Sequence, residues 1–143
     1  MNIIETVRGI LESFPKIAEV VGEVHIDFAD PSPTSYGLSS VGDTLLHEDV
    51  LGNQFRQHTF MLYSTFSSIN DYERLANSSV LLELSLWLKD QTGAQVTSLN
   101  GVGELTRLTA ENGMLIAVPE ENLADGVQYQ MQIIAEYSVI TEV

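Results

Sequence analysis

The stretch VQYQMQIIAEYSV, residues 127–139, alternates apolar and polar side chains almost without interruption. Val127, Tyr129, Met131, Ile133, Ala135, Tyr137 and Val139 share one face. Gln128, Gln130, Gln132, Glu136 and Ser138 share the other, with Ile134 the exception. A period of two marks a strand with one face in a core and the other in water. At ~3.3 Å per residue this strand is about 40 Å long, whereas a globule of 143 residues has a radius of gyration of only ~14–15 Å. The excess implies either a bulge that shortens the strand or an end that extends into a neighbouring subunit.

The segment FRQHTFMLYSTF, residues 55–66, is rich in aromatic and β-branched side chains and reads as a long central strand. VHIDFAD, residues 24–30, alternates like a half-buried strand that Pro31 and Pro33 stop, since proline cannot donate to a ladder. Tyr36–Val41 reads as a second short strand. GDTLLHEDVLGNQ, residues 42–54, reads as a strand or long loop projecting from the domain. Asn112-Gly113, between the runs 104–111 and 114–118, predicts a two-residue hairpin because both residues tolerate positive φ.

Two helices complete the pattern. Ile3, Ile4, Val7, Ile10, Leu11, Phe14 and Ile17 form an amphipathic stripe that Pro15 should end near Ser13 or Phe14. A second helix should start at Asn70, where Glu73 completes a capping box, and run to about Asp90. Its apolar face holds Leu75, Val80, Leu84, Trp87 and Leu88, widened by Leu82 and Leu86, and Gly93 stands where it would stop. The fold class is therefore α+β: a mixed, mainly antiparallel sheet packed against two helices. Residues 1–143 form one domain, with the arm at 42–54.

Six Lys+Arg against 20 Asp+Glu give a net charge of −14. That balance argues against wrapping nucleic acid, which needs cations to release counterions, and against docking on an anionic membrane. The absence of cysteine excludes disulfides, thiolate metal sites and thiol nucleophiles. The first residues lack the basic start and apolar run of a secretory signal, and no apolar stretch approaches the ~20 residues of a spanning helix.

Catalytic patterns are sought without success. No G-x-S-x-G elbow occurs, and spacing alone locates no Ser/His/Asp set. His25, His47 and His58 are scattered; His25-x-Asp27 lacks a second pair of metal ligands, and His47-Glu48-Asp49 reads as a charged loop. Gly101-Val102-Gly103 leads into a strand instead of opening a helix, so it is no phosphate loop. Glu120, Glu121 and Asp125 lack the spacing of a calcium loop. The expectation is no catalytic, metal or cofactor-binding residue.

Pro33-Thr34-Ser35-Tyr36, Arg56-Gln57 at the start of the long strand, Trp87-Leu88-Lys89-Asp90-Gln91 closing the second helix and Tyr129-Gln130-Met131-Gln132 in the last strand occur in a telling order. In that order the chain resembles the tail terminator (tail completion, minor capsid) proteins of tailed phages and prophages of Gram-positive bacteria. The resemblance spans roughly residues 1–139. It implies a non-enzymatic virion protein, assembled in the bacterial host cytoplasm, whose copies form a ring, commonly of six subunits, at the head–tail junction. Such a ring caps the tail tube, ends its polymerisation and presents the surface that joins the head connector or neck; in contractile tails it also caps the sheath.

Ring closure needs one patch to meet a different patch on the next copy. The 42–54 arm and the long final strand are the segments that would reach across, by strand pairing. Asp43, His47, Glu48, Asp49 and Arg56 are the interface candidates, with Arg56 paired to an acid of the neighbour. An acidic lumen would let DNA pass without binding. The alternatives are another neck component or, from a different class, a small-molecule-binding or hydrolytic domain.

Overall fold

The computed structural model describes residues 1–15, 25–26, 35–66, 71–99, 101–117 and 127–140. Helix α1 spans Ile3–Glu12 and helix α2 spans Asp71–Leu88. The strands are β1 (His25–Ile26), β2 (Ser35–Glu48), β3 (Gln54–Phe66), β4 (Gln95–Ser98), β5 (Gly101–Ala117) and β6 (Val127–Val139). They form one sheet in the order β1-β2-β3-β6-β5-β4. Among the described residues only the short β1–β2 pairing is parallel, so the α+β class with a mainly antiparallel sheet holds.

Helix α1 starts where Asn2 caps it, its side chain accepting the Glu5 amide at 2.9 Å. It ends at Ser13, whose amide and hydroxyl both bond Ile10 O, two residues before the proline that cannot continue it. Val7 and Leu11 are fully buried, and burying such a side chain is worth about 1.5–3 kcal/mol. Ile17 of the helical stripe, most of the expected 24–30 strand, the Asn70 cap and the acids Glu120, Glu121 and Asp125 lie outside the described residues. On α2 the core residues are Leu81, Leu84 and Leu88, while Leu82 and Leu86, expected to widen the apolar face, are exposed. Phe14 and Trp87 bring the helices together with ring centroids 5.1 Å apart.

The final strand lies at the centre. It pairs residue for residue with β3, from Gln54 opposite Val139 to Phe66 opposite Val127, and with β5 on its other side. Both edges of β6 are used within the chain, by the 13 residues of β3 and by the longer β5, so the length of Val127–Val139 is taken up by its own neighbours. Tyr129, Met131, Ile133, Ala135 and Tyr137 point into the core, as the alternation predicts. They meet Phe60 and Leu62 of β3, Tyr36 and Leu38 of β2, and Leu105 and Leu108 of β5.

Two local predictions are overturned. Residues 104–117 form no Asn-Gly hairpin; they lie in the single strand β5, and the register with β6 shifts by one residue between Glu111 and Met114. Long-range pairing to β6 wins over the local turn, and Asn112-Gly113 supplies a bulge instead. The second short strand is also no short strand. β2 runs on through Gly42 to Glu48, so residues 42–54 are the outer half of a β2–β3 hairpin, paired within the chain.

Gly103 is required by close approach: a Cβ there would lie 1.9 Å from Ser138 O. The Gly103→Ala variant is expected to lose about 1–3 kcal/mol, since the β5–β6 junction must open to admit a methyl group. Urea melts of the two proteins check this, and equal midpoints would contradict it.

Candidate functional site

The outer half of the β2–β3 hairpin holds all five interface candidates named from sequence, and it carries two kinds of surface. One is a polar cluster on the core side of the sheet. The other is a set of apolar side chains in water.

The cluster is built by register. Asp43 sits directly opposite His58, and Arg56 directly opposite Tyr137. Ser40 and Asp43 are three residues apart, which on a regular strand puts them on opposite faces. The register slips by one residue between Ser40 and Gly42, and this bulge turns both side chains to the face of His58. The same slip places Val41 in water, 61% exposed.

Asp43 is the hub. Its Oδ1 accepts from Arg56 Nε at 2.5 Å; its Oδ2 accepts from Tyr137 Oη at 2.5 Å and pairs with His58 Nδ1 at 2.8 Å. A carboxylate only accepts, so His58 Nδ1 carries its proton there, and in the neutral ring Nε2 accepts the Ser40 hydroxyl at 2.6 Å. Arg56 reaches on to Gln54 Oε1 at 3.0 Å. The Arg56 partner expected on a neighbouring copy is thus its own Asp43. His58 is buried, whereas the Asp43 and Arg56 side chains keep about a quarter of their surface. Burial pushes the Asp43 carboxyl up, and the bonds from Tyr137, His58 and Arg56 outweigh it, so its pKa is lowered. Tyr137 is pushed up to about 12, first by burial and then by its bond to the Asp43 anion.

Ser40, His58 and Asp43 have the bond order of a nucleophilic triad, which sequence spacing could not locate because it depends on cross-strand register and a bulge. Here, however, the carboxylate also holds Arg56 and Tyr137. Among the described residues, an open groove of about 580 Å³ lies on the other side of Tyr137, lined with it by Met1, Ile3, Val96 and Leu99. Among the described residues no three His or acidic side chains converge as metal ligands, and no helix is long and apolar enough to cross a membrane.

The other three candidates occupy the hairpin end. Asp49 organises the turn: its Oδ1 accepts the amides of Leu51 and Asn53, and its Oδ2 accepts Asn53 Nδ2. Gly52 closes it at φ 86°, a conformation open to glycine. His47 stacks on Phe55, centroids 5.9 Å apart, and Glu48 is exposed. Around them Val41, Leu45, Leu46, Val50, Leu51 and Phe55 are all exposed, Val50 completely. The sequence analysis named only the charged residues of this segment, yet the unburied apolar ones are its distinguishing feature.

The cluster makes a signed prediction for pH. Tyr137 has a folded pKa above the ordinary 10.0, so its contribution is whole below about pH 10 and is lost as the pH rises through about 12. Asp43, lowered from 3.8, contributes above the ordinary carboxylate range and fades as the pH falls through its lowered pKa. Tyr137→Phe should flatten the alkaline limb of a Tm–pH profile and Asp43→Asn the acid limb, each at a cost near neutrality of about 1 kcal/mol. Limbs identical to those of the parent protein would refute the hub. A comparison of the chain with protein-family models finds no match, and a comparison with curated proteins finds none either.

Proposed function

We propose that this chain is a structural protein of a tailed phage, prophage or tail-like particle, resident at the head–tail junction of the virion. Its copies form a ring that caps the head-proximal end of the tail tube, ends tube growth and offers the joining surface to the head connector. The order of the four short motifs supports the family, and one observation carries the assembly role. A strongly acidic chain that should repel its own kind nevertheless exposes six large apolar side chains on one hairpin. Apolar patches of that kind mark surfaces that become buried against a partner. The partners of this reading are further copies of the chain, the tube protein, the connector and, in a contractile tail, the sheath. The net charge of −14 suits a lumen that DNA traverses without sticking.

Electron microscopy of tails assembled without this protein tests the reading. The expected result is tubes of irregular, excessive length that fail to join heads, and added purified protein should restore both. Capped tubes of normal length in its absence would refute it. The geometry of Ser40, His58 and Asp43 favours one rival, a serine hydrolase. That rival predicts covalent labelling of Ser40 by a fluorophosphonate probe, and the assembly reading predicts an unlabelled protein.

A further inference from the structure

The sheet offers two long edges that no described strand covers. β1 meets β2 only at Gly37 and Leu38, so the outer edge of β2 from Gly42 to Glu48 is open among the described residues. At the opposite flank β4 meets β5 only from Gly101 to Glu104. Leu105 bonds the chain at Gly93 and Ala94, and from Thr106 to Glu111 the outer edge of β5 is open in the same sense. Such edges are templates for strand addition.

The two edges stand level with each other. Thr44 pairs with Gln57, Gln57 with Glu136, and Glu136 with Arg107. One residue row therefore runs across the sheet from the β2 edge to the β5 edge. Because β2, β3, β6 and β5 alternate in direction, a second copy displaced sideways in the same orientation sets its β2 antiparallel to this β5. The pairing continues the alternation without reversing the direction of the subunit's strands.

Charge and apolar surface match across that contact. Lys89 and Arg107, two of only six Lys+Arg in the chain, flank the β5 edge around one shallow cavity, and neither makes an ion pair with a described residue. On α2, which packs on β5, Leu82 and Leu86 are 61% and 56% exposed. Lys89 follows them at helical spacing on the same flank. The hairpin brings the complementary set: exposed Leu46, Val50 and Leu51 together with the acids Glu48 and Asp49.

We infer that the occupant of the β5–α2 flank is the β2–β3 hairpin of a second copy, joined by antiparallel addition of its β2 edge to the β5 edge. The contact is heterologous: one patch meets a different one, and each subunit keeps one of each free for the next. Repetition therefore closes a ring or extends a filament. This mode of contact rests on the assembly role proposed above and specifies it.

The absence of native cysteine allows a clean test. Thr44→Cys and Thr109→Cys are made as separate proteins, shown by circular dichroism to be folded, mixed, and treated with a bis-maleimide that spans about 10 Å, enough for diagonal cross-strand neighbours. The expected result is a covalent heterodimer forming about tenfold faster than in a control mixture of Thr44→Cys with Glu12→Cys, through the raised effective concentration of a bound pair. A rate equal to the control, or faster linking of Thr44→Cys with itself, overturns the inference. If tails lacking the protein are uncapped while this link fails, the docking mode alone falls. If such tails are normal, the assembly reading falls with it.

Discussion

One carboxylate, Asp43, holds the outer hairpin against the centre of the sheet. It gathers Arg56 and His58 from β3 and Tyr137 from β6, and it faces them only because β2 carries an extra residue at Val41. Without the bulge Asp43 would turn to the far face, where Thr44 now stands, leaving a guanidinium and a buried imidazole without their anion. Leaving such groups unpaired costs more than their bonds contribute, so the cluster behaves as a unit. Fixing the hairpin polar side inward is also what commits its apolar residues to water.

That commitment links the energetics to the proposed function. A chain with −14 net charge pays a repulsive cost for every contact with its own kind, and a self-association surface must offset it locally. Apolar area does so without adding like charge. The few cations do so best where they are not already spent inside the chain. Arg56 is spent on Asp43, whereas Lys89 and Arg107 stand beside a strand edge that no described strand covers. In the proposed assembly, Arg56 in an internal lock and Lys89 and Arg107 on an outer flank separate what stabilises the subunit from what would join subunits.

Local patterns in the sequence disclose most of the architecture. The period-two alternation of residues 127–139 and the aromatic run of 55–66 announce the two central strands, and the 3.6-residue stripe of α1 announces its buried face. Pairing is what local patterns miss. Asn112-Gly113 has the chemistry of a tight turn yet serves as a bulge, because β6 offers β5 a partner on both sides of it, from Leu105 to Ala117. The short strand expected at 36–41 runs on to Glu48 for the same reason, β3 being there to pair with it. The cluster around Asp43 was only half legible. Asp43 and Arg56 stood out as charges in a mixed segment, but Ser40, His58 and Tyr137 join them through register across three strands and a one-residue slip, which no single-strand period encodes.

Hydrogen–deuterium exchange on Asp43→Asn against the parent protein probes the lock most directly. If the carboxylate fastens the hairpin, amides of residues 42–48 and 54–58 exchange at least about tenfold faster in the variant, a change of ~1.4 kcal/mol in local opening. The amides of Tyr36–Leu38, Phe60–Ser64 and Tyr129–Ile133 should keep the parent rates. Unchanged protection of the hairpin, or a uniform loss across every strand, would show that Asp43 is not what secures it.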